Sequence, residues 1–213
     1  MTEFITILSA NIAELAIDIW YNMTSPLMLM AYAFSALFLL LDCVRRGWEN
    51  CITHKMVTGV GATFIIIGLN VVFVPLVLVW VDELAAIYDS LGIPHLPEST
   101  WDGVPLILVA FIGIVFADLA DYLNHRAMHT KWLWPIHAMH HSDHEVNGLT
   151  AFRVHALEMF FMKASYVVLL TWLGIPAEAQ AAGSVLLMLH IVYVHARVDW
   201  DHGPFKLLIA SPR

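Results

Sequence analysis

Long apolar runs alternate with short polar stretches along the chain. Five runs stand out, at residues 26–41, 60–81, 104–117, 157–173 and 179–195. Residues 60–81 form 22 consecutive positions without a charged side chain, and about 20 apolar residues are enough to cross the hydrocarbon layer as a helix. The last two runs are short and close together, which predicts a hairpin that enters the membrane and returns. We therefore expect an all-α integral membrane protein with about four membrane-embedded helices.

The first residues predict an amphipathic segment. Apolar side chains recur there at helical spacing, at Phe4, Ile5, Leu8, Ile12, Leu15 and Ile19. This spacing is typical of a helix lying on the membrane surface, although a leader into the first span is an alternative. Glu3 and the lack of an early Lys or Arg argue against a secretory signal. We treat residues 1–213 as one membrane domain, with the amphipathic segment and spans in 1–117 and a histidine-rich region in 118–213.

Composition and charge support this picture. Sixty per cent of the residues are hydrophobic and 13% are charged, against about 25% charged in soluble domains. All ten Lys and Arg residues fall within 45–55 or from residue 126 onward. Because basic loops stay in the cytoplasm, we expect the acidic loop 82–103 outside and the histidine-rich region in the cytoplasm. No basic stripe suggests nucleic-acid binding.

The two cysteines lie at the basic loop 45–55, with Cys43 just before it and Cys51 within it. That loop is predicted to face a reducing compartment, where disulfides are rare. Neither cysteine has metal-ligand spacing to the histidines. We therefore expect two free thiols.

Five histidines form two closely spaced groups. His125 and His129 end the third span at positions i and i+4, which share one helix face. In HAMHH, the residues at i, i+3 and i+4 are His137, His140 and His141, and Pro135 suits the first turn of a helix. Neutral imidazole is a good ligand for transition metals. A single tetrahedral zinc ion takes at most four ligands, so five imidazoles predict two metal ions in a helical cytoplasmic cap.

Other polar residues receive weaker assignments. His195 is expected as a sixth ligand, whereas His190 lies at a poor spacing from it. The roles of His155 and His202 stay open, His144 is expected in solvent, and His54 and His95 are expected in the core. Five tryptophans are interpreted as anchors at the membrane interface: Trp48, Trp101, Trp132, Trp134 and Trp200. Ligand histidines usually donate their second N–H to a carboxylate, and the expected acceptors are Asp118, Asp121 and Asp199.

Three segments carry a resemblance to a known family. DYLNHRAMH, HAMHHSDHEVNGLTAFRVHALE and YVHARVDWDHGPFKLLIASPR resemble the fatty acid hydroxylase superfamily, in its bacterial sterol-desaturase-like branch, over roughly residues 118–213. The resemblance implies a centre of two iron ions that activates O₂ and removes hydrogen from a lipid C–H bond. His125 and His129 match the first histidine box, and His137, His140 and His141 match the second. His195 matches a histidine ahead of the final box, and His155 matches one of less certain role.

The resemblance also implies partners and a departure. It implies a sterol, fatty acyl or related lipid substrate, a bacterial inner membrane and a cytoplasmic electron donor, and zinc could replace iron in purified protein. No flavin or nicotinamide fingerprint occurs in the sequence. In the family, a third box, His-x-x-His-His, follows the segment that resembles GPFKLLIASPR, and this chain ends at Arg213 before it. We therefore expect a C-terminally truncated, inactive fragment.

A different class of function also fits clustered histidines. A membrane metal transporter or sensor would gather imidazoles at one membrane face. Such a protein would favour ionisable residues along its spans, and residues 60–81 contain none. A zinc protease is disfavoured because HExxH is missing, and a carboxylate di-iron bundle because Glu-x-x-His is missing.

Overall fold

The computed structural model describes residues 17, 20, 21, 23–71, 86–207, 210 and 212. Within these residues the chain is helical and contains no strand, which confirms the all-α prediction. The α-helices are α1 (Pro26–Arg46), α2 (Trp48–Cys51), α3 (His54–Val71), α4 (Leu106–Met128), α5 (Trp134–His137), α6 (Ala156–Trp172) and α7 (Ala177–Val194). Short 3₁₀ turns cover Glu98–Trp101, His140–Ser142, Gly148–Phe152 and Gly203–Leu207.

Three of these helices, α1, α4 and α7, are long and apolar enough to cross a membrane. Helix α1 begins at Pro26, where the Ser25 hydroxyl accepts a hydrogen bond from the Met28 amide. It ends at Gly47, whose positive φ of 85° suits glycine. The run predicted at 60–81 is helical as far as residue 71, and its remainder lies outside the described residues, as does most of the predicted N-terminal amphipathic segment.

Helix α4 packs against both α6 and α7, and α1 packs against α7. One core cluster joins the first turns of α4 to the turn between α6 and α7, through Val109, Ala110, Leu170, Leu173, Ile175 and Ala179. A second joins α1 to the end of α7 and the residues after it, through Ala31, Phe38, Val192, Ala196 and Val198. The end of α4, the start of α6 and the end of α7 consequently meet at one end of the bundle.

Helices α6 and α7 each pack against α4 and are joined by a tight turn. Gly174 has φ +59° there, and a Cβ on it would lie 2.3 Å from the Leu96 carbonyl oxygen. The segment before α4 packs over this turn. The Leu96 amide donates to the Trp172 carbonyl at 2.9 Å, and the Trp101 indole donates to the Leu173 carbonyl at 2.9 Å. At 17 residues, α6 is only about 26 Å long.

Candidate metal centre

The first histidine pair lies at the end of α4. His125 is in its last turn and His129 follows as the C-terminal cap. Their Nε2 atoms are 3.1 Å apart, as expected for residues one helical turn apart. Both side chains are exposed at the surface. The pair therefore lies at the outer end of the bundle.

HAMHH is less regular than predicted. Helix α5 ends at His137, and a 3₁₀ turn begins at His140. The Nε2 atoms of His137 and His141 lie 3.0 Å apart. The His140 ring lies 5.4 Å from the His137 ring and 5.3 Å from the His141 ring, centroid to centroid, so the three rings lie together as predicted.

Four imidazoles from these elements converge. The ligand atoms of His125, His129, His137 and His141 all lie within 4.8 Å of one another. Two nitrogens bound to one ion at about 2.1 Å and at right angles would lie about 3 Å apart, which matches the spacings within both pairs. His137 is fully buried and the other three rings are exposed. The donor type and spacing fit one transition-metal ion with an open side.

The sixth predicted ligand lies beside the remaining ring. His195, just after α7, has its Nε2 3.2 Å from the Nε2 of His140. The Nδ1–H of His195 donates to the Ile191 carbonyl at 2.8 Å, which leaves its Nε2 lone pair toward His140. His140 Nδ1 is buried without a hydrogen-bond partner among the described residues. The pair offers two ligands next to the four-imidazole group.

The surroundings of His137, His140 and His141 favour the uncharged ring. Burial, followed by repulsion from neighbouring histidines, lowers the pKa of His137 to about 4 and the pKa of His140 to about 3. The pKa of His141 is also lowered, first by burial and then by His129. Because only the neutral ring offers a lone pair, these three rings can bind a metal without first losing a proton.

One buried carboxylate that was not predicted, that of Glu158, lies against a histidine of this group. Its Oε1 lies 2.7 Å from the Nδ1 of His137, and both side chains are buried. Glu158 sits in the first turn of α6. In the sequence, Glu158 is a single carboxylate near the start of an apolar run, three residues after His155, and this position could have indicated its role.

None of the three carboxylates predicted for this role bonds to a histidine in the part of the chain that the structure describes. Asp121 shares the face of His125 but is directed at α6, where Tyr166 is its hydrogen-bond partner. Asp118 is exposed, and Asp199 pairs with Arg45 at 2.9 Å. Spacing along one helix could not reveal that the neighbouring helix supplies the acceptor instead.

The remaining histidines have other surroundings. His155 caps α6, its Nδ1 accepting from the Leu157 amide at 3.1 Å. His202 bonds to the Tyr193 hydroxyl at 2.6 Å, and the His190 ring lies 6.3 Å from that of Tyr193. His144 is exposed as predicted. The core assignment was wrong for His54, which is exposed at the start of α3, and His95 is only half-buried.

One predicted interface anchor belongs to the site. The Trp134 ring stacks on His141 with centroids 5.5 Å apart and an interplanar angle of 23°. It also lies 5.7 Å from His129. Trp134 is 41% exposed, against 80% for Trp132. Trp134 therefore forms a wall of the four-imidazole group.

A compact loop, residues 143–150, follows HAMHH and packs against the helix bundle. The Asp143 carboxylate accepts a hydrogen bond from the Thr150 hydroxyl at 2.6 Å, and the Asn147 backbone N–H donates to the same hydroxyl at 2.9 Å. Gly148 lets this loop approach α1 and α7, because a Cβ there would lie 2.9 Å from Val192 and 3.0 Å from the Ser35 hydroxyl. The loop holds the second histidine group against the bundle.

Comparison with known proteins agrees with the histidine motifs. Residues 110–213 match the fatty acid hydroxylase family model. The histidine-rich half of this chain therefore resembles the fatty acid hydroxylase family. The match includes all six histidines of the site and confirms the resemblance seen in the sequence. No solved structure matches the chain.

Several curated proteins are similar to this chain. It is 28% identical to the ornithine lipid hydroxylase OlsE of Rhizobium tropici, over 92% of the chain and 58% of that protein. It is 28% identical to the very-long-chain aldehyde decarbonylase GL1-11 of Oryza sativa subsp. japonica, over 56% of the chain and 43% of that protein. It is 30% identical to methylsterol monooxygenase 2-1 of Arabidopsis thaliana, over 34% and 26%. The chain spans less than two thirds of the length of these relatives.

Proposed function

We propose that this protein is a membrane-bound, O₂-dependent oxidoreductase that uses two iron ions to hydroxylate or desaturate a lipid. The observation that carries the proposal is the convergence of six imidazoles at one end of a bundle of apolar helices. The relatives named as a lipid hydroxylase and a sterol monooxygenase support a lipid substrate of the same general kind, sterol, fatty acyl or related.

The six histidines divide between the two ions. His125, His129, His137 and His141 would hold one ion, and His140 and His195 would contribute to the second. Iron bound there would supply O₂ activation and oxidation of an unreactive C–H bond, using electrons from a cytoplasmic donor. Zinc, which also accepts imidazole ligands, could replace iron during purification.

The protein itself orients ligands and presents a lipid. Hydrogen bonds at Nδ1 leave the Nε2 atoms of His137 and His195 free to bind metal. Apolar side chains of α4 within the two turns before His125 are exposed, at Leu119, Tyr122 and Leu123. These side chains give an acyl or sterol chain an apolar path to the open side of the four-imidazole group.

The proposed location is the bacterial inner membrane, with the histidines facing the cytoplasm. Helix α1 ends with Arg45 and Arg46, at the same end of the bundle as the histidines, and Arg45 pairs with Asp199 just after α7. Basic residues concentrated at this end support a cytoplasmic orientation through the positive-inside rule.

Iron content and lipid oxidation test the function together. The chain would be expressed in bacteria, its bound iron would be measured, and membrane lipids would be analysed by mass spectrometry. Lipids that gain one oxygen or lose two hydrogens, with protein-bound iron, would support the proposal. His140→Ala should abolish product formation, whereas exposed His144→Ala should not. Metal flux into vesicles without O₂ consumption would instead support a transporter.

A further inference from the structure

The contact between His137 and Glu158 joins two buried side chains. His137 is 0% exposed and Glu158 is 2% exposed. The Nδ1 and Oε1 atoms are 2.7 Å apart, which is a hydrogen-bond distance. The other oxygen of Glu158, Oε2, has no hydrogen-bond partner in the described part of the chain. His137 is therefore the side chain that offsets the cost of burying this carboxylate.

Burial distinguishes Glu158 from an ordinary glutamate at a helix start. A carboxylate in the first turn is favoured by the helix dipole, and such a residue normally gains this while remaining in water. Helix α7 offers the comparison, because Glu178 occupies its first turn and is exposed. Burying a carboxylate is costly unless it is paired. Helix stability alone therefore does not account for a buried glutamate at this position.

We infer that Glu158 is a positioning residue that fixes the tautomer and ring orientation of His137 for metal binding. As a carboxylate, Glu158 accepts the Nδ1–H of His137. The proton then cannot occupy Nε2, and the Nε2 lone pair faces the His141 nitrogen 3.0 Å away. The inference rests on the proposed metal site and ties its most buried ligand to the first turn of α6.

Cobalt(II) titration of the purified chain tests this role. Glu158→Ala should weaken cobalt binding at the four-imidazole group by about 10- to 100-fold, the usual effect of losing a ligand's hydrogen-bond acceptor. Glu158→Gln keeps an accepting oxygen and should lose less. Exposed Glu178→Ala is the matched control and should bind cobalt like the parent.

A double-mutant cycle separates positioning from a purely structural role. If Glu158 acts through His137, adding Glu158→Ala to His137→Ala should weaken cobalt binding no further. It should also raise the stability of that variant, because it removes an unpaired buried carboxylate. An equal loss of affinity in both backgrounds would overturn the inference.

Nitrogen chemical shifts of the metal-free protein give a readout that does not depend on binding or on a folded Ala variant. The parent should show the proton of His137 on Nδ1, and Glu158→Gln should shift the tautomer population. A proton on Nε2 in the parent would overturn the inference even if cobalt binds. A parent that binds no cobalt but carries the Nδ1 proton would instead contradict the proposed function.

Discussion

The Nε2 atoms of His140 and His195 lie 3.2 Å apart, although 55 residues separate the two in the chain. This contact divides HAMHH, because His137 and His141 join the pair from α4 while His140 joins the end of α7. Two adjacent histidines, His140 and His141, thus serve different groups. The six imidazoles form a group of four and a neighbouring group of two.

Replacing His195 should affect the smaller group selectively. Four imidazoles hold an ion more tightly than two, so the chain should bind one divalent ion strongly and a second weakly. His195→Ala should weaken the second event by at least about 10-fold and leave the first unchanged. His190→Ala is the control, since its ring lies beside Tyr193. Calorimetric titration with cobalt(II) measures both events, and equal effects of the two variants would contradict the division.

A methyl group at Gly174 should destabilise the hairpin. Gly174 and Gly103 both have positive φ, of 59° and 77°, and this conformation costs a residue with a Cβ about 1–2 kcal/mol. Only at Gly174 would the new Cβ meet a neighbour, the Leu96 carbonyl oxygen at 2.3 Å. Gly174→Ala should therefore lose about 1–3 kcal/mol more than Gly103→Ala. Denaturation in detergent, followed by circular dichroism, compares them, and equal losses would argue against this packing.

The two thiols should be free but unreactive. Cys43 and Cys51 are both buried, and they do not form a disulfide bond. Burial raises the pKa of Cys51 to about 12, and the Asp42 carboxylate lies 3.5 Å from its sulfur. Because the thiolate is the reactive form, Cys51 should stay protonated and unreactive until the pH approaches 12.

Maleimide labelling at pH 8 checks this expectation. The folded protein should react slowly at both cysteines, and the unfolded chain should react rapidly at both. Equal labelling rates before and after unfolding would show that the cysteines are accessible in the folded protein.

Local patterns in the sequence predicted much of this structure. Apolar runs marked α1, α4, α6 and α7, because a helix must satisfy its own backbone groups in lipid. The spacing of His125 and His129 predicted a shared face, and these rings do converge. Both features depend on residues close together in the chain, where geometry follows from spacing alone.

Features set by packing between helices could not be predicted in the same way. Asp121 had the right spacing to His125, yet the acceptor at the site is Glu158, which meets His137 only because α6 starts beside α5. Trp134 appeared to be an interface anchor, and its stacking on His141 depends on the path of the loop after α4. Such contacts are decided by which elements meet, and spacing within one element does not encode that.

Iron content of the purified chain tests the central claim, that these histidines form a metal site, most directly. The protein would be loaded anaerobically with iron(II), passed through a desalting column and weighed by native mass spectrometry. We expect one tightly held iron per chain, lost in His137→Ala and His141→Ala and retained in His144→Ala. A folded parent that retains no iron, or iron retention unaffected by the first two substitutions, would contradict the account.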